Sequence, residues 1–204
     1  MVENLLPFLT ASILLTISPG PDILYVLVQS LSNGVRAGIF TTLGLVSGII
    51  IHTSLVAFGV SAILKESETI FLIIRIVGAL YLFYLAYQVW VSESRISVKT
   101  NSVKNAGDFS LFRRGFIMNV VNPKVTIFFL AFFPGFLWDP SGDTVFQFYV
   151  LGALFMIQAF IIFGCVALLA GKIAVYLNQN DRAGIIFKWI QILVFVGIGL
   201  FILT

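Results

Sequence analysis

Charged side chains are scarce in this sequence of 204 residues. Only 10% of the residues are charged, against about 25% in an ordinary soluble domain. Hydrophobic residues make up 59% of the chain, and the mean hydropathy is +1.06. This composition excludes a soluble globular domain. At about 20 residues per spanning helix, the length holds five or six helices, so we expect one transmembrane domain over residues 1–204.

Cysteine and histidine are each present once, as Cys165 and His52. One cysteine excludes an intramolecular disulfide and a cysteine metal cluster, and one histidine without neighbouring acids makes a metal site improbable. The sequence also lacks a serine–histidine–acid arrangement with supporting context and a glycine-rich phosphate loop. We therefore expect that the protein is not an enzyme and that it binds no cofactor and no metal. We also expect that this chain alone does not form an ATP-driven pump.

A cleavable signal is not expected either, because residues 1–4 carry no positive charge and no small-residue cleavage pattern follows the first apolar run. The net charge of +3 comes mostly from bases between apolar runs. We interpret these bases as topology signals, not as a nucleic-acid interface.

Six apolar runs are long enough to cross a bilayer. They cover residues 5–31, 38–64, 70–91, 111–137, 145–170 and 184–203. The predicted fold class is therefore an all-α membrane protein of six transmembrane helices. Transmembrane β-strands would alternate apolar and polar residues, and these runs do not.

Lysine and arginine orient the predicted helices, since cytoplasmic connections carry the excess of both. The first, third and fifth connecting regions contain nine of these residues, whereas the other face has Lys65 and Arg75. Both termini are therefore predicted to lie outside the cytoplasm. The polar stretch 92–110 is predicted to be a flexible cytoplasmic linker between halves 1–91 and 111–204.

Each half then holds three spans, and an odd number places the two halves in opposite orientations. This is the inverted-repeat plan of many secondary transporters, whose sites form where interrupted helices meet. Ser18-Pro19 in the first span is matched by Asn122-Pro123 in the fourth, 104 positions later. We expect both helices to be broken at proline and the two breaks to lie side by side.

The first break falls in the segment TISPGPD, residues 16–22. Pro19 cannot donate a hydrogen bond to the Leu15 carbonyl, Pro21 also lacks an N–H, and Gly20 between them is permissive. In lipid, free backbone groups are tolerated only against protein or water. Pro19, Gly20 and Pro21 are therefore candidate site residues.

Asp22 follows this break and is the only acid well inside a predicted span. A carboxylate at that depth costs at least about 2.5 kcal/mol on insertion scales, so a function is the default interpretation. Its candidate roles are proton carrier and counter-ion for a substrate ammonium. The alternative is a charge that caps the following half-helix.

The second break, in the fourth span, is Asn122-Pro123-Lys124. Pro123 leaves the Asn119 carbonyl without its usual donor, and Asn119 and Asn122 can hydrogen-bond there. Lys124 would bind a substrate carboxylate or pair with Asp22 in the empty carrier. The alternatives are a snorkelling lysine, a structural ion pair, and a proline that only kinks its helix.

His52 lies in the second span and is a candidate proton relay, because histidine titrates near neutral pH. A core histidine is the commoner occurrence. Gly44 and Gly48 in the same span form a small-xxx-small face, which favours close helix packing.

Taken together, these motifs resemble the LysE/RhtB family of bacterial amino-acid exporters. The resemblance covers essentially the whole length and includes residues 18–22, 34–38, 78–82 and 122–124. It implies a six-helix inner-membrane protein that exports amino acids or their derivatives, with proton motive force as the energy source. It also implies that the two proline motifs are core functional positions.

The leading hypothesis is therefore alternating-access export, with a small-molecule substrate and a coupling proton as partners in a lipid bilayer. A passive channel or cation-export pathway, and a non-transporting interaction subunit, are the alternatives. The sequence leaves the formation of a homo-oligomer open. With Asp22 as the only obvious membrane-depth acid, neutral or modestly charged amino acids are favoured over dicationic ones.

Overall fold

The computed structural model describes residues 2–61, 67–92, 107–139 and 141–203, and the regular structure in these ranges is helical. The helices are α1 (Val2–Ile17), α2 (Pro21–Asn33), α3 (Val35–Leu55), α4 (Glu68–Val91), α5 (Asp108–Val120), α6 (Pro123–Phe132), α7 (Thr144–Leu168), α8 (Ala170–Gln179) and α9 (Asp181–Leu203). A π-helical turn, Val56–Val60, extends α3, and a 3₁₀ turn, Phe133–Phe136, extends α6.

Four of these helices, α3, α4, α7 and α9, are each long and apolar enough to cross a membrane. The pairs α1–α2 and α5–α6 bend by 54° and 50° at short breaks, and each pair completes a further span if it is counted as one. The predicted all-α membrane protein is confirmed, with six spans on that count.

The helix boundaries differ from the predicted runs by a few residues. Helix α5 begins at Asp108, inside the stretch 92–110 for which the sequence predicted a linker, and it has an acid in its first turn. That position is favourable beside the positive helix N-terminus. Residues 93–106 of the linker lie outside the described ranges. The short helix α8 was not predicted, since ten residues containing Lys172 are too few and too polar to register as a span.

Both helix breaks are present, and proline begins the second half-helix of each. Pro21 is the first residue of α2 and Pro123 is the first residue of α6, where the missing N–H has no intrahelical partner to lose. Pro21 therefore holds the same helix position as Pro123, whereas Pro19, which the sequence matched with Pro123, lies in the break before α2. Consequently Asp22 and Lys124 occupy equivalent positions, each the second residue of its half-helix.

Helix α3 lies at the centre and packs on both α5 and α7. It approaches α5 closely because Gly44 and Gly48 carry no side chain. A Cβ on Gly44 would lie 2.9 Å from the Phe116 nitrogen and closer still to the Phe112 carbonyl oxygen, and a Cβ on Gly48 would lie 2.7 Å from Asn119 Oδ1. The predicted packing role of this glycine face is confirmed.

The remaining spans surround this centre, with α4 packed on α9 and α1 on α7. Phenylalanine fills the space around α6, where the rings of Phe128 and Phe132 stack with centroids 4.5 Å apart. Phe128, Phe129 and Phe133 are almost completely buried. This rigid aromatic core holds the second break in place.

Polar contacts at one end of the bundle agree with the predicted order of connections. Arg36, at the start of α3, forms an exposed ion pair of 2.6 Å with Asp108, at the start of α5. Lys188 Nζ donates to the Ser92 carbonyl, 2.7 Å away, and so joins α9 to the end of α4. The starts of α3 and α5 therefore lie on the same side.

The glycine contact gives a direct prediction for stability. We expect Gly44→Ala to lower the free energy of unfolding by about 1–3 kcal/mol, because the added methyl group meets backbone that cannot move aside. Gly197→Ala on α9 is the matched control, since a Cβ there meets nothing within 4 Å. Thermal unfolding in detergent should separate the two variants, and equal melting temperatures would contradict the proposed close contact.

Candidate functional site

Lys124 joins the two helix breaks. Its ammonium group, from the second break, donates to the carbonyl oxygens of Leu15 at 3.0 Å and Ser18 at 3.3 Å, both from the first break. The Leu15 carbonyl is the one that Pro19 was predicted to leave free. The structure therefore brings the two breaks together, as the sequence predicted.

Helix polarity explains why these carbonyls are suitable acceptors. Lys124 lies in the first turn of α6, where the helix dipole is unfavourable for a cation, whereas Leu15 lies in the last turn of α1, where the dipole is favourable. The ammonium also lies 5.3 Å from the centre of the Phe195 ring, within the range of a cation–π contact. The alternative of a snorkelling lysine is therefore not needed to explain how its charge is stabilised.

Asp22 lies in the first turn of α2 and is 8% exposed. Its Oδ2 accepts a long hydrogen bond of 3.4 Å from Asn119 Nδ2, and its Oδ1 has no hydrogen-bond partner among the described residues. The α2 N-terminus has no side-chain cap, so Asp22 acts on the helix only through its charge. Within the described part of the chain, Asp22 and Lys124 do not form an ion pair at 4.0 Å or less.

The second break is satisfied by its own residues and by α3. The Asn122 side chain accepts from the Lys124 backbone N–H at 3.1 Å and so caps α6. The Asn119 carbonyl, which Pro123 leaves free, accepts from the Asn122 N–H at 2.9 Å and lies 3.0 Å from His52 Nε2. Because a carbonyl only accepts, Nε2 carries the proton and His52 is the donor.

Two polar residues beside the first break were missed by the sequence analysis. Gln158 of α7 donates to Thr16 Oγ1 at 3.0 Å, and Thr16 in turn donates to the Ser12 carbonyl at 2.8 Å. The Gln158 Oε1 atom is buried and has no partner among the described residues. Gln158 could have been found from the sequence, because a polar amide in the middle of an apolar helix is unusual. Its hydrogen bond to Thr16 of α1 could not have been predicted.

A small cavity lies between these elements, with about 30 Å³ of free space, room for about two water molecules. Six of the predicted site residues line it, and the list is Gly20, Pro21, Asp22, Asn119, Asn122 and Lys124. Pro19 faces the other way, into an apolar groove of about 350 Å³ that also contacts α7, α8 and α9. His52 and Pro123 are not among the described residues that line the cavity, since His52 is buried beside Asn119 and Pro123 is exposed.

Comparison with known proteins gives a consistent result. A family model described as LysE type translocator matches residues 13–204. An uncharacterized membrane protein of Vibrio cholerae is 32% identical over 166 residues, which cover 81% of this chain and 80% of the relative. No solved structure matches the chain.

Two further relatives have functional names. A leucine efflux protein of Salmonella choleraesuis is 28% identical over 200 residues, which cover 96% of this chain and 92% of the relative. A homoserine/homoserine lactone efflux protein of Salmonella typhimurium is 30% identical over 171 residues, which cover 84% and 82%.

His52 has either a structural role, as the hydrogen-bond donor to the Asn119 carbonyl, or the predicted role of proton relay. Substitutions that keep or remove the donor distinguish the two roles. Glutamine keeps an N–H donor but does not titrate. We therefore expect His52→Gln to keep transport within about twofold of the wild-type rate, and His52→Leu to lower it by more than about fivefold, since loss of one such hydrogen bond costs about 1–2 kcal/mol. The measurement is substrate efflux from proteoliposomes with and without a pH gradient. Loss of the gradient response in His52→Gln alone would instead assign His52 to the proton path.

Proposed function

The chain belongs to the LysE type translocator family, and we propose that it exports amino acids or amino-acid derivatives by secondary-active, alternating-access transport. The observation that carries the proposal is the contact between the two helix breaks, in which Lys124 Nζ lies 3.0 Å from the Leu15 carbonyl oxygen. Broken helices that meet in the membrane form the binding sites of many secondary transporters. The relatives named as leucine and homoserine efflux proteins support amino acids as the substrate class.

The charges of the site match those of a zwitterion. Lys124 is bound to neutral carbonyl groups, and a substrate carboxylate is the stronger acceptor, because its negative charge attracts the ammonium in addition to accepting the hydrogen bond. The Oδ1 atom of Asp22, which has no hydrogen-bond partner among the described residues, is a suitable acceptor for the substrate ammonium group. In this proposal the substrate takes over Lys124 from the carbonyls of Leu15 and Ser18.

Substrate entry requires the helices at the breaks to move apart. The free space of about 30 Å³ between them is far too small for an amino acid, so the described conformation is a closed state. The segments between α1 and α2 and between α5 and α6 are short and have no internal helix to resist bending. We assign them as the hinges of the transport cycle.

The two halves hold their second half-helices differently, which supports alternating access. In one half α6 packs on α4. In the other half the equivalent α2 lies across the apolar groove from Phe187 of α9. If the halves are inverted repeats, exchange of these two arrangements produces the opposite-facing state, with α2 closed on α9 and α6 released from α4.

Proton coupling is the proposed energy source, and Asp22 is the proposed proton carrier. It is the one membrane-depth acid in the site, and it lies beside the position assigned to the substrate ammonium. Binding of a proton or of the substrate at the same carboxylate links the two fluxes. We place the protein in the bacterial inner membrane with both termini outside the cytoplasm, following the distribution of lysine and arginine.

A counterflow assay in proteoliposomes tests the proposal. Wild-type protein should exchange radiolabelled amino acids across the bilayer in a saturable manner, and an imposed pH gradient should drive net movement. Asp22→Asn should abolish the gradient response. Lys124→Ala should lower substrate affinity by about 10-fold or more, because a hydrogen bond to a charged group contributes about 1.5–3 kcal/mol.

Two matched controls use surface residues of the same chemistry. Asp108→Asn removes an acid from an exposed ion pair, and Lys188→Ala removes a lysine that donates to a backbone carbonyl. Both should transport at close to the wild-type rate. Wild-type rates in Asp22→Asn and Lys124→Ala would contradict the proposed site. Unitary conductance without counterflow would identify a channel, and loss of partner binding without any transport would identify an interaction subunit.

A further inference from the structure

The cavity between the breaks has two chemically different walls. The polar wall comes from the breaks themselves and contains Asp22, Asn122 and Lys124. The other wall comes mainly from α7, and among the described residues those of α7 that line the cavity are apolar. A ligand that fits both walls has a charged head and an apolar side chain.

Three residues of α7 form the apolar wall, at intervals of four positions. They are Phe155, Ala159 and Phe163, and each is buried. Because residues four apart lie on the same face of a helix, the small Ala159 leaves a gap between two aromatic side chains. Ile49 of α3, which is 1% exposed, also lines the cavity.

The gap has a rigid border on one side. The Phe155 ring lies 5.7 Å from the ring of Phe128 and 5.2 Å from that of Phe129, and both of those rings are completely buried. Phe155 therefore cannot move aside without disturbing the aromatic core, since protein interiors are closely packed. The size of the side chain at position 159 therefore determines how much space a ligand has between Phe155 and Phe163.

From this arrangement we infer that the substrates are amino acids with uncharged, apolar side chains, and that Ala159 is the specificity-determining residue that the side chain contacts. The inference rests on the proposed function and specifies the substrate class of the same site. A charged side chain is rejected because the apolar wall offers it no hydrogen-bond partner, and burial of an unpaired charge is strongly unfavourable. A polar amide is disfavoured for the same reason, to a smaller extent.

The test compares leucine and alanine as counterflow substrates of the same protein. Ala159→Leu adds three carbon atoms to the gap and should lower the ratio of leucine to alanine transport by about tenfold or more, since single methylene groups in apolar pockets already discriminate by about 10–200-fold. Ala159→Gly widens the gap and should raise the ratio of phenylalanine to leucine transport. Ala153→Leu is the matched control, because position 153 lies on the exposed face of the same helix.

The possible outcomes distinguish the export function from the role of Ala159 in substrate selection. A changed substrate ratio in the Ala159 variants, with unchanged ratios in Ala153→Leu, supports the inference. Equal loss of all substrates in Ala159→Leu together with unchanged ratios in Ala159→Gly overturns the assignment of Ala159 but leaves the export function standing. Wild-type protein that exchanges no amino acid overturns both, and wild-type exchange of lysine or glutamate in preference to leucine overturns the substrate class alone.

Discussion

The hydrogen bonds from the Lys124 ammonium to the Leu15 and Ser18 carbonyls are the contact on which the rest of the site depends. A cation at the start of α6 meets an unfavourable helix dipole in apolar surroundings, and the broken end of α1 supplies the free acceptors that it needs. Neither break is satisfied by its own residues alone. This mutual dependence places α1, α2, α5 and α6 around one cavity, with the central α3 bracing the second break through His52.

Much of this site follows from local rules of the sequence. Proline at positions 19, 21 and 123 removes hydrogen-bond donors whatever the surroundings, so the breaks and the freed carbonyls of Leu15 and Asn119 were predictable. Asp22 and Lys124 were predictable as site residues, because charged side chains inside a membrane span are rare and usually functional. The partners of these groups were not predictable, because the contact of Lys124 with Leu15 and that of Gln158 with Thr16 depend on how distant helices pack. The start of α2 at Pro21 was not predictable for the same reason, since only the folded chain shows which proline begins the half-helix.

The equivalence of Asp22 and Lys124 connects the fold to the proposed transport. Each is the second residue of its half-helix, so the two halves present an acid and a base at matching positions, and these complement the two ends of a zwitterion. The small cavity, and the Asp22 Oδ1 atom that has no partner among the described residues, fit the proposal of a carrier that opens to bind its substrate. In the proposed site, the apolar residues of α7 would select the substrate side chain, while Asp22 and Lys124 would bind its charged head.

The proposed transport requires Lys124 to exchange its backbone carbonyls for a substrate carboxylate. The most direct measurement compares the binding of leucine and leucinamide, which lacks the carboxylate charge, to wild-type protein and to Lys124→Ala in detergent. We expect the wild type to prefer leucine by about tenfold or more, from the contribution of a charge-assisted hydrogen bond, and the variant to bind both ligands equally. If Lys124→Ala kept the wild-type preference for leucine over leucinamide, Lys124 would not be the group that binds the substrate carboxylate.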